Sequence, residues 1–154
     1  MDSYIDIGFH VITSLILGFF VWKIFGMNDR KSLLISLSST FLGGVLIDLD
    51  HFIDHLLAFG LNFNYEYFIN GEYFLRSGKT YIFFHGFEYA VLFGIAAVFI
   101  KSKKWKMILS ALTFGMLSHL LIDTFLFTNP IKGYFILYRI FHGFNVDMSG
   151  GVLD

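Results

Sequence analysis

The feature that most constrains the fold of this chain is a set of four long apolar segments separated by short polar stretches. A helix needs about 20 predominantly apolar residues to cross the roughly 30 Å hydrocarbon core of a bilayer. The segments that approach this length are Ile5–Phe25, Leu33–Asp50, Tyr81–Ile100 and Trp105–Phe127. The sequence therefore predicts an all-α, polytopic membrane protein, a four-transmembrane-helix bundle forming a single domain over residues 1–154.

The composition agrees with a membrane protein and excludes several kinds of site. Charged residues make up 15% of the chain, against about 25% in soluble domains. The net charge of −1 provides no basic surface, so nucleic acid is not expected as a partner. The chain has no cysteine, so any metal would be held by histidine and carboxylate side chains. The N-terminal residues 1–6 include no basic residue, so a cleaved signal peptide is not expected.

Ionisable residues occupy matching positions in the four apolar segments. In an up-down-up-down bundle, the start of the first helix, the end of the second, the start of the third and the end of the fourth share one side. Ionisable groups inside a membrane are costly and are usually functional. We therefore expect one polar layer at this side, built from His10, the 48–55 stretch, His85 with Glu88, and His119 with Asp123.

The 48–55 stretch holds three carboxylates and two imidazoles. On a continuous helix, Asp48, Asp50, His51, Asp54 and His55 fall within an arc of roughly 160°. Carboxylate oxygens and imidazole nitrogens bind zinc, manganese and iron. We expect Asp48 and His51 to be metal ligands. Asp54 and His55 are either additional ligands or a charged helix end that reaches water.

The remaining candidate ligands come from three other helices. His119 and Asp123 are four residues apart, so both side chains lie on one helix face and can reach one ion. The alternative is a hydrogen bond that only links helices. His85 and Glu88 are three apart and share a face in the same way. His10 is alone in an apolar helix, where a packed, hydrogen-bonded histidine is the competing interpretation.

This number of ligands exceeds what one tetrahedral zinc ion requires. We expect one or two divalent ions, most simply zinc, with manganese and iron as alternatives, and a shared water that attacks a phosphoester. A carboxylate that does not bind metal, Asp50 or Glu88, would serve as the catalytic base. Arg76 and Arg139 are either ordinary interface cations or the residues that hold a substrate phosphate.

Two aromatic-rich segments flank the predicted site. Residues 56–80 and 131–148 combine tyrosine and phenylalanine with charged residues, which suits the headgroup layer of a membrane. The second is expected to be an interfacial helix over the site. A phospholipid or another amphiphilic ester is then the natural substrate. The basic residues near the short turns at 26–31 and 101–104 predict a cytoplasmic (inner) membrane location with the site on the outer face.

The order of these motifs resembles that of the bacterial and archaeal membrane-bound metal-dependent hydrolases, often described as LexA-binding, inner membrane-associated hydrolases. The residues that carry the resemblance are His10, Asp48-Leu49-Asp50-His51, His85, the Gly115–His119 stretch with Asp123, and the tail 134–139. The resemblance implies a metal-dependent hydrolase of the membrane. The His-x3-Asp pair is also similar to one in zinc-dependent phospholipases C, which favours phosphoesters as substrates.

The chain departs from the family pattern at two places. Ile47 stands where the family usually has proline, and Phe84-His85-Gly86-Phe87-Glu88 replaces a longer motif with a second histidine and an arginine. Glu88 would then replace the missing ligand, or the second metal would be weak or absent. No residue indicates a LexA-type partner.

Two other functions remain open at this stage. The same cluster could belong to a carrier of metal ions or protons, because ionisable groups in membrane helices also mark transport pathways. The spacing of His51 and His55 would suit a di-iron oxidase or desaturase, although such enzymes use about eight histidines and this chain has six. The sequence gives no indication of an oligomeric state.

Overall fold

The computed structural model of the protein describes residues 3–69, 76–125 and 131–145, and these residues are largely helical. The helices are α1 (Ser3–Ile24), α2 (Arg30–Gly44), α3 (Asp50–Phe59), α4 (Tyr65–Ile69), α5 (Phe87–Phe99), α6 (Lys103–Phe125) and α7 (Ile136–Phe141). Two 3-10 turns, Leu46–Leu49 and Ile131–Tyr134, precede α3 and α7. The all-α prediction is confirmed for these residues.

The helices α1 and α6 are long and apolar enough to cross a membrane. A third span exists if α2 and the segment through Phe59 are taken as one bent helix, with a bend of 47°. The third predicted segment is represented by α5, which has 13 residues and is therefore only about 20 Å long. The lengths thus support two spans, or three with the bent pair, and the end of the fourth predicted segment, 126–127, lies outside the described residues.

The second predicted helix, Leu33–Asp50, is broken in the structure. Helix α2 ends at Gly44, the chain makes a 3-10 turn, and α3 begins at Asp50. The expected continuous helix with one polar face is therefore wrong. Asp48 lies in the 3-10 turn and Asp50 begins α3, and their carboxylates contact the two different ring nitrogens of His85.

The predicted start of the third helix at Tyr81 is also wrong, because α5 begins at Phe87. The backbone of 81–86 makes hydrogen bonds to side chains instead of forming helical turns. The N–H groups of Tyr81 and Phe84 donate to the carboxylates of Asp54 and Asp50, and several carbonyls accept from Arg139. Buried backbone groups must find partners, and here side chains provide them.

The interior mixes small and polar side chains with apolar ones, and most apolar side chains of α1 face outward. Among the most buried side chains are Ser14, Ser36 and Thr40, whereas Ile12 and Phe20 on α1 are 58% and 57% exposed. Ser36 Oγ lies at the contact of α1 and α2 and donates to the Gly18 carbonyl over 2.8 Å. Small and polar residues between helices, with apolar residues facing outward, are typical of membrane proteins.

Glycines allow α2 and α6 to cross in backbone contact. A Cβ atom added to Gly115 would meet the carbonyl oxygen of Thr40, and one added to Gly43 would meet that of Leu112. Backbone atoms cannot move aside as flexible side chains can. The crossing therefore fixes the end of α2 against α6, and so positions the Gly44 carbonyl beside the candidate site.

We predict that Gly115→Ala lowers the free energy of unfolding by about 1–3 kcal/mol, the usual range for overpacking. Gly94→Ala in α5 is the matched control, because its new Cβ would only reach ordinary contact with Thr113, at 3.6 Å. That change is expected to be neutral or to stabilise by up to about 1 kcal/mol, because alanine is a better helix former. Thermal unfolding in detergent measures both, and equal effects would contradict a backbone contact at Gly115.

Candidate metal centre

The structure brings together the ionisable groups that the sequence predicts at one end of the helices. Within the described residues, three overlapping groups of donor atoms are close enough to hold a metal ion. They are His10, His119 and Asp123; Asp48, His85 and His119; and Asp50, His51 and His85. His119 belongs to the first two groups and His85 to the last two. The cluster is therefore continuous, with these two imidazoles at its centre.

The orientation of His119 is set by the backbone of α2. Its Nδ1 lies 3.1 Å from the Gly44 carbonyl oxygen. A carbonyl can only accept, so Nδ1 carries the hydrogen that it donates. In the neutral imidazole, Nε2 then presents a lone pair to the centre of the cluster, as expected for a ligand held by an outer hydrogen bond.

The ring of His85 lies between two carboxylates. Its Nδ1 is 3.0 Å from Oδ2 of Asp50, and its Nε2 is 3.2 Å from Oδ1 of Asp48. Asp50 is completely buried and also accepts from the Phe84 N–H over 2.6 Å. A carboxylate behind an imidazole is the common arrangement that orients a histidine ligand of a metal. If the Nδ1–H of the neutral ring donates to Asp50, Nε2 carries a lone pair that points toward Asp48 and His119.

Three electron-pair donors thus converge. Nε2 of His85 and Nε2 of His119 are 3.0 Å apart, and Oδ1 of Asp48 lies 3.2 and 3.3 Å from them. In a tetrahedral zinc site with bonds of 2.0–2.1 Å, ligand atoms are separated by about 3.3 Å. The spacing of these atoms therefore fits one divalent cation. Oδ2 of Asp123, 3.3 Å from Nε2 of His119, is available as a further donor.

The electrostatics of the cluster favour positive charge at its centre. Burial by itself would lower the pKa of His85, but the carboxylates of Asp50 and Asp48 outweigh that effect and raise the pKa to about 9. Two lone pairs and a carboxylate oxygen this close together repel each other unless a proton or a cation lies between them. The residues present therefore fit a divalent metal ion, and their identity does not distinguish zinc from manganese or iron.

His10 approaches from α1 and has an additional acidic neighbour. Its Nε2 lies 3.2 Å from Oδ1 of Asp123 and 2.9 Å from Oδ1 of Asp6, and its ring stacks on His119 with centroids 4.0 Å apart. The sequence analysis missed Asp6. The signal was present, because Asp6 and His10 have the same four-residue spacing as His119 and Asp123, and so lie on one helix face.

The two predicted catalytic carboxylates, Asp50 and Glu88, lie away from the partly exposed side of the cluster, which is formed by Asp48 and His51. Asp50 lies behind His85, as described. Glu88 belongs to α5, and its side chain reaches the start of α7, where Oε2 accepts from the Ile136 N–H and Oε1 from the Leu137 N–H, each over 3.1 Å. A carboxylate at the N-terminus of a helix satisfies N–H groups that have no partner within the helix. Glu88 therefore connects α5 to α7.

The two arginines predicted to hold phosphate differ in their surroundings. Arg139 is buried, and its guanidinium donates to the carbonyls of Tyr81 (2.9 Å), Ile82 (2.6 Å) and His85 (2.6 Å). Burial lowers the pKa of Arg139, and the nearby carboxylates of Asp50 and Glu88 oppose that shift. Arg76 is exposed and lies 4.0 Å from the centre of the Tyr67 ring.

The remaining candidates lie at the edge of the cluster. His51 is partly exposed, and its Nε2 is 3.5 Å from Oδ1 of Asp48. Asp54 is buried and accepts from the Tyr81 N–H over 2.9 Å. His55 is also buried, among the rings of Phe59 and Phe63 at 5.2 and 4.9 Å. The open side of the cluster is therefore formed by Asp48 and His51.

Comparison of the chain with protein-family models, with curated proteins and with solved structures finds no match. Any function assigned to the cluster therefore rests on its own geometry and on the resemblance of its motifs.

Proposed function

We propose that this protein is an integral-membrane, metal-dependent hydrolase that cleaves an ester bond, most simply a phosphoester, of an amphiphilic substrate. The observation that carries the proposal is the convergence of Asp48 Oδ1, His85 Nε2 and His119 Nε2 within 3.0–3.3 Å of each other. We propose zinc as the ion, because two imidazoles and one carboxylate are a ligand set of catalytic zinc sites that keep a position open for water.

In the proposed site, some residues orient the metal ligands and another transfers a proton. The Gly44 carbonyl and the Asp50 carboxylate fix the rings of His119 and His85, so that each presents Nε2. Bound there, a divalent cation supplies Lewis acidity and activates water for attack on an ester. His51, partly exposed beside Asp48, is in position to accept or return a proton on the open side.

Exposed apolar residues next in sequence to the cluster favour a substrate with an apolar part. Leu49, Phe52 and Phe84, next in sequence to residues of the cluster, are each about half exposed. Exposed apolar side chains beside a polar site are expected where a lipid or another amphiphile binds. In the proposed arrangement four helices lie in the cytoplasmic membrane, with the site in the outer headgroup layer and the basic turns inside.

The test is removal and return of the metal. The protein, purified in detergent without chelator, is assayed on phosphatidylglycerol in mixed micelles, on bis(p-nitrophenyl) phosphate and on p-nitrophenyl butyrate. We expect phosphoester cleavage that EDTA abolishes and added zinc restores. His51→Ala is expected to keep its zinc and to lose about 100-fold or more in rate, as for a general acid or base.

Two outcomes would contradict the proposal. A protein that holds no metal after resupply with zinc, manganese or iron has no metal centre. A protein that binds zinc but hydrolyses neither class of ester is not a hydrolase. In that case, zinc flux into liposomes that contain the protein would support the carrier, and iron with oxygen-dependent chemistry would support the oxidase.

A further inference from the structure

A groove lies between α5 and α6, toward the helix ends that are remote from the candidate metal centre. Its lining includes Gly94 and Val98 of α5 and Lys106, Thr113 and Phe114 of α6. Its volume is about 390 Å³, within the range of roughly 300–1,000 Å³ that is usual for sites of small ligands. Val98 and Phe114 are exposed, so the groove is open to the surroundings of the helices.

The space beside Gly94 is not used for packing between the helices. A Cβ atom added to Gly94 would first meet the methyl carbon of Thr113, at 3.6 Å, which is ordinary contact. At the crossing of α2 and α6, by contrast, Gly43 and Gly115 leave no room for a Cβ atom. The Thr113 hydroxyl donates to the Leu109 carbonyl of its own helix over 2.9 Å. This part of the groove is therefore apolar and has room for a further group.

The groove ends in strongly basic surroundings. Lys106 is partly buried, and among the residues that the structure describes it forms no ion pair. The sequence contains no acidic residue between Glu88 and Asp123. In the stretches 23–31 and 100–106 the one carboxylate is that of Asp29, which accepts from the N–H and hydroxyl of Ser32. The basic residues of these two stretches are Lys23, Arg30, Lys31, Lys101, Lys103, Lys104 and Lys106.

We propose that this groove binds an anionic phospholipid of the surrounding bilayer, with one acyl chain between α5 and α6 and the phosphate beside Lys106. Basic pockets between membrane helices bind anionic headgroups on the cytoplasmic side, where the positive-inside rule puts this end. Lys106 and Thr113 are about 10 Å apart along α6, so the chain lies within one leaflet, which is about 15 Å thick. His119 is about 20 Å from Lys106 along the same helix, so this lipid is separate from a substrate at the metal centre.

The experiment is native mass spectrometry of the detergent-purified full chain, titrated with dioleoylphosphatidylglycerol or dioleoylphosphatidylcholine. The two lipids have the same acyl chains and differ in headgroup charge. We expect wild type to bind phosphatidylglycerol at least about 10-fold more tightly than phosphatidylcholine. Lys106→Gln should bind phosphatidylglycerol at least about 5-fold more weakly and phosphatidylcholine as before. Lys104→Gln, which removes an exposed cation of the same end that does not line the groove, is the matched control and should bind as wild type.

A second variant, Gly94→Leu, tests the place of the acyl chain. The leucine side chain would occupy the space beside Thr113, so we expect it to abolish binding of both lipids. Gly94→Ala adds a single methyl group and should retain most of the binding. Thermal unfolding without lipid checks that each variant is folded, and added phosphatidylglycerol should raise the melting temperature of wild type but not that of Gly94→Leu.

Three results would overturn the inference. Equal affinity of wild type for the two lipids, or equal losses in Lys106→Gln and Lys104→Gln, would remove the contact between Lys106 and a phosphate. Undiminished lipid binding by folded Gly94→Leu would place the lipid elsewhere. A wild-type dimer that Gly94→Leu dissociates would show that a second copy of the chain covers the groove. None of these measurements requires a metal ion or hydrolysis, so the proposed function would survive each of them.

Discussion

Replacement of His119 by alanine is expected to abolish metal binding, because this residue belongs to two of the three groups of donors. Its Nε2 lies 3.0 Å from Nε2 of His85 and 3.3 Å from Oδ2 of Asp123. Loss of a residue that only orients a ligand costs 10–100-fold in metal affinity, so we expect loss of a central ligand to cost more than about 100-fold. The measurements are the zinc content of purified protein and the zinc concentration that half-saturates it.

Thermal unfolding provides a second readout of the same variant. A ligand present at about 100 times its dissociation constant stabilises the folded state by roughly 2.7 kcal/mol. Added zinc should therefore raise the melting temperature of wild type and leave that of His119→Ala unchanged. The variant should also be somewhat less stable without metal, since the buried Gly44 carbonyl loses its donor.

The matched control is His142→Ala, which removes an imidazole outside the three groups of donors. Nδ1 of His142 lies 2.7 Å from the Tyr138 carbonyl, within its own helix end. This variant should retain wild-type zinc content and the wild-type response of its melting temperature. If His119→Ala also retained stoichiometric zinc, the metal centre as described would be wrong.

The long helices could be predicted closely because their signal is local. Apolar runs of about 20 residues gave α1 and α6 with ends that differ by two residues or fewer where the structure describes them. The sequence could also predict that His10, His85 and His119 lie at the same end of the bundle, because short turns between long helices determine which helix ends share a side. This part of the site could be predicted from the order and direction of the helices alone.

The breaks in the helices could not be predicted in this way, because they depend on distant partners. The N–H groups of Tyr81 and Phe84 bond to carboxylates about 30 residues earlier, and the carbonyls of this segment bond to Arg139, over 50 residues later. Hydropathy contains no information about these hydrogen bonds, so the apolar residues at 81–84 were assigned to a helix. The roles of the Gly44 carbonyl and the Phe84 N–H escaped prediction for the same reason, since every residue carries these groups.

The orientation of individual side chains was the least predictable property. Glu88 was a plausible base by spacing alone, yet both of its oxygens bond to the backbone of α7. Asp6 was passed over near the chain start, although its spacing to His10 repeats that of His119 and Asp123. Spacing identifies which residues share a helix face, whereas the partner of each side chain depends on how the helices pack.

Arg139→Met is expected to destabilise the protein strongly and to weaken metal binding. The guanidinium donates to three carbonyls of the 81–85 segment, and each buried polar group left without a partner costs about 1–3 kcal/mol. We therefore expect a loss on the order of 3 kcal/mol or more in the free energy of unfolding. Because this segment holds His85 at the cluster, the affinity for zinc should fall by about 10–100-fold, as for other residues that position a ligand.

Arg139→Lys and Arg76→Met separate this role from charge alone. Lysine keeps the positive charge but lacks the planar fork that reaches several carbonyls, so Arg139→Lys should recover only part of the stability and of the zinc affinity. Arg76 is exposed over the Tyr67 ring, where a cation–π contact contributes about 0.5–1 kcal/mol, so Arg76→Met should leave the zinc affinity unchanged. Equal effects of the two methionine variants would contradict the buried role of Arg139. If Arg139→Met instead kept its stability and zinc affinity but lost binding of a phosphate-containing substrate, Arg139 would be a substrate ligand and the 81–85 segment would be held by other contacts.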